Sequence, residues 1–144
     1  MVTALAGHRR NVNVLTSTTT PTLTLTLPPL PESARDARHA LVEDGLDADL
    51  EHTVSLLTTE ILANAMRHVP GTADIQMAAT LDTAFARVEV LDTGPGFDPD
   101  VRNRTDGFGL RLVDKLATRW GVERGQGTVV WFEVDRRRRR FNRD

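Results

Sequence analysis

Three short groups of residues have the types and spacing that could take part in chemistry, and the first is a pair on a predicted helix. Glu60 and Asn64 stand four residues apart in a stretch of helical periodicity, so their side chains share one helix face. An amide oxygen beside a carboxylate suits Mg²⁺, which prefers hard oxygen ligands, and a carboxylate can also orient or deprotonate an attacking hydroxyl. Taken alone, the pair is more typical of a solvated helix face.

The second group is Asp92 with the two glycines that follow it, Gly94 and Gly96. Asp92 ends a strand pattern, so its carboxylate would leave the sheet at a point where it can accept a hydrogen bond from an exocyclic amine. The glycines have no Cβ and would let a flat ring approach the backbone. An ordinary Asp-Gly turn has the same sequence, so this group also stays open when it is considered alone.

The third group is a glycine-rich segment, residues 107–110, that lies directly before a short helix pattern. Backbone N–H groups at a helix N-terminus, together with the helix dipole, favour a phosphate. A single G-x-G is more often a flexible connection. The three groups follow one another as a helix pair, a strand-end carboxylate and a glycine segment that opens a helix, and this order favours one shared site.

The elements that must position these residues are indicated by the hydrophobic periodicity. Strict alternation predicts strands, and apolar residues at steps of three and four predict helices. The predicted strands are residues 22–27, 75–81, 84–90, 121–123 and 128–134, with a turn at Asp82 and Thr83, and the predicted helices are residues 32–44, 49–68 and 110–117. The fold class is therefore α+β, with helices on one face of a mostly antiparallel sheet.

Length and charge indicate one domain with two appendages. The 144 residues, 40% of them hydrophobic, fit a single core over residues 22–135, after a flexible N-terminal arm at residues 1–21. Residues 136–144 form an arginine-rich tail with a formal charge of +5, which leaves -7 for the rest of the chain because the whole chain carries -2. We therefore expect no direct contact with nucleic acid, and a solvated tail whose alternative role is contact with an acidic partner or polyanion.

Cysteine and membrane signals are both missing from the sequence. The chain has no cysteine, so it has no disulfide framework and no thiol nucleophile. It also lacks the roughly 20 consecutive apolar residues of a membrane span and the pattern of a secretory signal. We expect a cytoplasmic protein that does not contact a membrane.

In this order and spacing, the motifs resemble those of the GHKL superfamily of ATPases and kinases over about residues 23–134. Residues 59–68 look like the N box, residues 92–97 like the first glycine box and residues 107–110 like the second. The single-domain length is similar to that of the stand-alone anti-sigma-factor serine/threonine kinases of actinobacteria, as are the stretches RLVD from residue 111 and WGV from residue 120. The resemblance implies a two-layer α/β sandwich of the Bergerat type that binds ATP with Mg²⁺.

The resemblance also implies a role for each matching residue. Asn64 would hold Mg²⁺ through its amide oxygen, and Glu60 would act as general base. Asp92 would accept a hydrogen bond from the adenine amino group, and Thr128 would bind beside it. The remaining positions would line the adenine ring or wrap the phosphates: Gly94 and Gly96 at the ring, and Gly107, Phe108, Gly109 and Leu110 at the phosphates.

Residues 98–106 would form the lid over the ATP. In the kinases that the chain resembles, a basic residue is expected shortly before the second glycine box, where it reaches the terminal phosphate. Here Thr105 stands two residues before Gly107, and Arg104 is one step earlier. Arg104 is therefore the candidate catalytic cation, and Arg102 is a second candidate because a lid loop can move.

The function that the resemblance implies is an anti-sigma factor that phosphorylates a serine of an anti-anti-sigma partner of the STAS type. Such proteins also bind a sigma factor and are usually homodimers. One alternative is a nucleotide-gated binding module that sequesters a sigma factor or another regulator without transferring phosphate. A further alternative is an interaction scaffold in which the nucleotide site is vestigial. The composition of the lid separates the kinase from the binding module.

Overall fold

The strands form one six-stranded sheet in which every described pairing is antiparallel. The computed structural model describes residues 3–4, 20–68, 73–92 and 107–137. The strands are β1 (Thr3–Ala4), β2 (Leu23–Leu27), β3 (Ile75–Asp82), β4 (Phe85–Asp92), β5 (Arg119–Gly125) and β6 (Gly127–Asp135), and their order in the sheet is β1-β2-β3-β4-β6-β5. The two-residue β1 pairs with β2, so part of the predicted arm contacts the sheet; the division into arm, domain and tail stays a prediction.

Three α-helices complete the described part of the chain. They are α1 (Glu32–Glu43), α2 (Glu51–His68) and α3 (Gly107–Leu116), and a 3₁₀ turn at Ala48–Leu50 leads into α2. The sequence predicted a single helix from residue 49. The structure instead begins with the tighter turn because the Asp47 side chain accepts a hydrogen bond from the backbone N–H of Asp49. None of the described helices is long and apolar enough to cross a membrane.

The core lies between the helices and one face of the sheet. Alternate residues of each central strand point into it, as the period of two requires, and the buried stripe of α2 covers them. Its almost fully buried members include Leu25, Leu27, Val54, Leu57, Ile61, Val88, Val90 and Phe132. The prediction of an α+β fold with two layers is therefore confirmed.

The turn between β3 and β4 differs from the sequence prediction by one residue. The strand continues through Asp82, and the turn is at Thr83 and Ala84, where Ala84 has a φ of 60°. Ala84 continues the apolar alternation of β4, which is why the sequence placed it in the strand, and a non-glycine residue rarely adopts this left-handed conformation. Hydrogen bonds hold it there: its N–H donates to Asp47 Oδ2 at 2.8 Å, and its carbonyl accepts from the Arg136 N–H at 2.9 Å.

The face of the sheet away from the helices carries a cluster of charged residues. Arg87 on β4 donates from Nε to Glu89 Oε2 and from Nη1 to Glu133 Oε2 on β6, both at 2.7 Å. Arg119 on β5 contacts the other Glu133 oxygen at 2.7 Å, and the Arg87 guanidinium lies 4.2 Å from the ring centroid of Trp131. Arg87, Glu89 and Glu133 are each at most 9% exposed, although charged residues that alternate with apolar ones along a strand usually face solvent. Charged side chains are tolerated in a buried position when they are paired with opposite charges. The ion pairs of this cluster connect three neighbouring strands, β4, β6 and β5.

Candidate functional site

The helix α2 places Glu60 and Asn64 one turn apart beside the sheet. Asn64 is 1% exposed, whereas Glu60 is half-buried. The Asn64 Oδ1 atom accepts a hydrogen bond from Arg67 Nη2 at 3.3 Å. Arg67 follows Asn64 by three residues, so both are on one side of the helix. Arg67 was not among the residues predicted from the sequence, although its spacing of three residues from Asn64 was the available signal.

Asp92 and Thr128 face each other across two neighbouring strands. Asp92 is the last residue of β4, Thr128 is the second residue of β6, and the antiparallel register pairs them directly. Side chains paired in this way are close enough to act on the same group. Asp92 is 8% exposed and Thr128 is 5% exposed. The register thus brings together a carboxylate and a hydroxyl that are far apart in the chain.

The second glycine segment forms the first turn of α3 and not a loop before the helix, as the sequence analysis expected. The helix begins at Gly107, so residues 107–110 supply its first backbone N–H groups. These groups have no carbonyl partner within the helix and can donate to an anion. Leu110 is half-buried and packs against the core. The side chains of residues 107–109 lie outside the described part of the chain.

A cleft of about 420 Å³ opens beside α2 and α3. It is lined by Glu60 from α2 and by Arg111, Leu112 and Lys115 from α3. Arg111 and Lys115 are four residues apart and therefore share a helix face, so the cleft combines one carboxylate with two cations. Neither cation was assigned a role from the sequence. Their i, i+4 spacing was visible, but the packing of α3 beside Glu60 was not.

A family model described as histidine kinase-like ATPase domain matches residues 27–134. This match spans three quarters of the chain and every residue that the sequence analysis assigned to the site. The chain belongs to the histidine kinase-like ATPase domain family. The predicted membership of the GHKL superfamily is thereby confirmed. A comparison with curated proteins finds no match.

Domains of the histidine kinase-like ATPase family bind ATP, usually with Mg²⁺. The membership therefore supports an ATP-binding protein, and it fits an ATP-dependent activity of the kinase type. Three residues assigned to the ATP site, Gly94, Gly96 and Arg104, lie outside the described residues, as does the predicted lid at residues 98–106. Their roles stay predictions. The positions of the other site residues follow from α2, the end of β4, the start of β6 and the first turn of α3.

The donor atoms of this ATPase domain fit a magnesium ion that is held mainly by its nucleotide. Over the described ranges, no group of three or more His, Cys, Asp and Glu side chains could hold a metal ion. Mg²⁺ usually keeps several waters and substrate phosphates and takes only one or two protein ligands. The buried Asn64 amide oxygen can accept at two positions, and the Glu60 carboxylate is one helical turn away. A single amide ligand of this kind is compatible with the site.

Proposed function

We propose that this protein is a cytoplasmic, ATP-dependent anti-sigma factor with serine/threonine-protein kinase activity toward an anti-anti-sigma partner. The observation that carries the proposal is the cleft beside α2 and α3, in which Glu60 lies with Arg111 and Lys115. Transfer of a phosphoryl group to a hydroxyl needs a group that takes a proton and positive charge that faces the developing negative charge. The cleft supplies both kinds of group.

Each remaining part of the site has its own task in this proposal. Asp92 accepts a hydrogen bond from the adenine amino group at the end of β4, and Thr128 binds beside it. Asn64 would hold Mg²⁺ through its amide oxygen, and the ion would supply positive charge that neutralises the phosphates. The first turn of α3 donates backbone N–H groups to the phosphates. Such positioning and charge neutralisation account for most of the catalysis in phosphoryl transfer.

The transfer step uses Glu60 as the proton acceptor. The serine oxygen of the partner forms a bond to the γ-phosphorus of ATP while its proton passes to the Glu60 carboxylate. The bond from the γ-phosphorus to the bridging oxygen breaks, and ADP leaves with that oxygen. Arg104 from the lid is the further cation that reaches the terminal phosphate.

The partners in this proposal follow from the resemblance to stand-alone anti-sigma kinases. They are an anti-anti-sigma protein of the STAS type, which receives the phosphate, and a sigma factor, which the kinase sequesters. The active form is a homodimer, and neither nucleic acid nor a membrane takes part directly.

A nucleotide-gated binding module that sequesters a sigma factor without phosphoryl transfer is the second candidate. One observation favours it: Thr105 stands where the related kinases carry a basic residue shortly before the second glycine box. In this case ATP binding alone changes the affinity for the regulator, and Glu60 has no proton to accept.

The test measures nucleotide binding and phosphoryl transfer separately. Calorimetry with ATP and Mg²⁺ should show affinity about 10- to 100-fold weaker for Asp92→Asn, the loss expected for a hydrogen bond to a buried charged acceptor. For Asn64→Ala we expect loss of the tightening that Mg²⁺ produces. Glu60→Gln should bind ATP normally but transfer labelled phosphate to an anti-anti-sigma partner about 10²- to 10⁴-fold more slowly. Asp74→Asn, an exposed carboxylate outside the site, is the matched control.

The outcomes separate the candidates. ATP binding without labelling of any partner protein would refute the kinase and leave the binding module. Absence of ATP binding would mean that the site is vestigial and the domain is an interaction scaffold. Unchanged affinity in Asp92→Asn would overturn the assignment of the adenine site.

A further inference from the structure

The side of the sheet that faces the helices is built from rows of residues that pair across β4, β6 and β5. Two neighbouring rows are entirely apolar, and their members lie in the core or pack against it. They consist of Val88, Phe132 and Trp120 in the first row and of Val90, Val130 and Val122 in the second. The apolar surface therefore extends as far as β5 along this part of the sheet.

The next row along the same strands is polar. Asp92 pairs with Thr128 on β6, and Thr128 pairs in turn with Arg124 on β5. Each of the three stands two residues from a member of the second apolar row, and residues two apart on a strand point to the same face. A carboxylate, a hydroxyl and a guanidinium therefore follow one another on the helix side of the sheet, where the apolar surface ends.

A tight turn holds Arg124 in this row. β5 ends at Gly125, which pairs with Gly127 of β6, so Gln126 alone forms the tip of the hairpin. Gly127 has a φ of 137°, a backbone conformation that residues with a side chain rarely adopt. Because the turn of a hairpin fixes the register of its strands, Arg124 stays opposite Thr128.

Arg124 lies at the open end of the row. β5 is the last strand in the order of the sheet, and Arg124 is exposed, whereas Asp92 and Thr128 are 8% and 5% exposed. Arginine commonly lays its aliphatic stem along apolar surface while its charged group stays in water. The Arg124 guanidinium therefore borders a group that Asp92 and Thr128 bind.

Adenine suits a site of this composition. Its exocyclic amine can donate to the Asp92 carboxylate, and its flat aromatic ring offers a face on which a guanidinium stacks. The groups assigned to Mg²⁺ and the phosphates lie on other elements, with Asn64 on α2 and the backbone N–H groups at the start of α3. Arg124 thus shares a row with the residues assigned to the base and not with those assigned to the phosphates.

We propose that Arg124 is a further nucleotide-binding residue, whose guanidinium stacks on the adenine base held by Asp92 and Thr128. The proposal rests on the proposed binding of adenine by these two residues, but it does not require phosphoryl transfer. A stacked guanidinium changes the affinity by about 3- to 30-fold, and the factor grows as water is excluded from the contact. Since the contact is with the base, the same factor applies to ATP and to adenosine.

Calorimetry on the full-length chain tests the contact with two ligands, ATP with Mg²⁺ and adenosine. Arg124→Gln should weaken the binding of both ligands by the same factor, about 3- to 30-fold. Arg124→Lys keeps the positive charge but loses the planar group, so it should recover only part of this loss. Arg124 is exposed, so both variants should keep the fold, and circular dichroism checks this.

Arg119→Gln is the matched control, because it is the same substitution on the same strand. Arg119 lies on the opposite face of β5, where it contacts Glu133 and keeps 58% of its side chain exposed. This variant changes the net charge of the chain as much as Arg124→Gln does. It should nevertheless leave the affinities for ATP and adenosine unchanged.

Three results would overturn the proposal. The first is an unchanged affinity for adenosine in Arg124→Gln, and a loss confined to ATP would then mean that Arg124 contacts the phosphates. The second is full recovery of affinity in Arg124→Lys, which would mean that charge alone acts. The third is an equal loss in Arg119→Gln, which would indicate a general effect of net charge.

Failure of the proposed kinase gives a different result. A chain that binds ATP and adenosine but labels no partner protein refutes phosphoryl transfer, and the contact between Arg124 and the base stands. If the unsubstituted chain binds neither ligand, the adenine site is wrong and the role of Arg124 is wrong with it.

Discussion

Thr58 lies in the middle of α2 with its side chain fully buried, and within the described part of the chain its hydroxyl has no hydrogen-bond partner. A buried hydroxyl without a partner loses its hydration on folding and gains nothing in return, which costs about 1–3 kcal/mol. Valine has almost the same volume and no polar atom. Thr58→Val should therefore raise the free energy of unfolding by about 1–2 kcal/mol.

The corresponding shift of the melting temperature is about 4 °C for each kcal/mol in a domain of this size. Thermal unfolding followed by circular dichroism measures this shift directly, and urea unfolding measures the free energy independently. Equal urea m-values for the variant and the parent would show that the change acts on stability and not on the extent of unfolding.

The neighbouring residue gives a matched control for this prediction. The Thr59 hydroxyl donates to the Ser55 carbonyl at 2.9 Å and accepts from Arg38 Nη1 of α1 at 3.0 Å. Thr59→Val is the same chemical change on the same helix, yet it should lower stability by about 1 kcal/mol because it removes two hydrogen bonds. The reasoning is refuted if Thr58→Val destabilises the domain, or if both variants shift the melting temperature in the same direction.

Three further substitutions test the sheet and the helix end. Gly121→Ala should cost about 1–3 kcal/mol and shift the tryptophan fluorescence, because the added Cβ would lie 2.9 Å from the indole of Trp131. Glu133→Gln should cost about 2–4 kcal/mol in urea unfolding, because it leaves the buried Arg87 without one of its two carboxylate partners. Burial raises the pKa of Asp44, so ionisation of this carboxyl opposes folding once the pH rises above about 4. Asp44→Asn should therefore be more stable than the parent at neutral pH, and this advantage should disappear below about pH 3.

Each of these predictions has an outcome that contradicts it. A Cβ added at Gly125 would have no neighbour within 4 Å, so Gly125→Ala is the control for Gly121→Ala, and equal effects would rule out the clash. Glu123 is exposed on β5, and Glu123→Gln should change stability little; a Glu133→Gln effect equally small would mean that the charged cluster is not stabilising. A pH-independent difference between Asp44→Asn and the parent would exclude ionisation as its cause.

The sequence predicted a helix or strand best where its apolar residues repeat with a single period and form a single buried face. Strict alternation predicted β2, because its leucines at positions 23, 25 and 27 face the core and its threonines do not. The apolar stripe of α2 predicted that helix in the same way. The burial of the charged residues on the outward face of β4 was not predicted. Arginine and glutamate alternating with apolar residues indicate solvent, and only the pairing with Glu133 and Trp131 on another strand explains their burial.

The candidate site was also predicted only in part, because local sequence patterns do not predict contacts between distant elements. The Asp92 and Thr128 positions were predictable, because each follows from a strand end and from the motif order. The start of α3 at Gly107 was not, since glycines usually indicate a loop and here they open a helix. Arg111 and Lys115 were missed because their place in the cleft depends on how two helices separated by about forty residues pack together. Local spacing carries no information about that packing.

Because Asp92 and Thr128 pair directly, the geometry of this pair and the length of the connection between β4 and α3 can be altered independently. The sheet ladder fixes this pair, so its geometry does not depend on how many residues connect the end of β4 to the start of α3. We therefore expect that this connection can be lengthened, shortened or exchanged while the pair of Asp92 and Thr128 keeps its geometry. If Asp92 and Thr128 bind adenine as proposed, a series of variants with different residues 98–106 should change the kinetics of phosphoryl transfer while the affinity for adenosine stays constant.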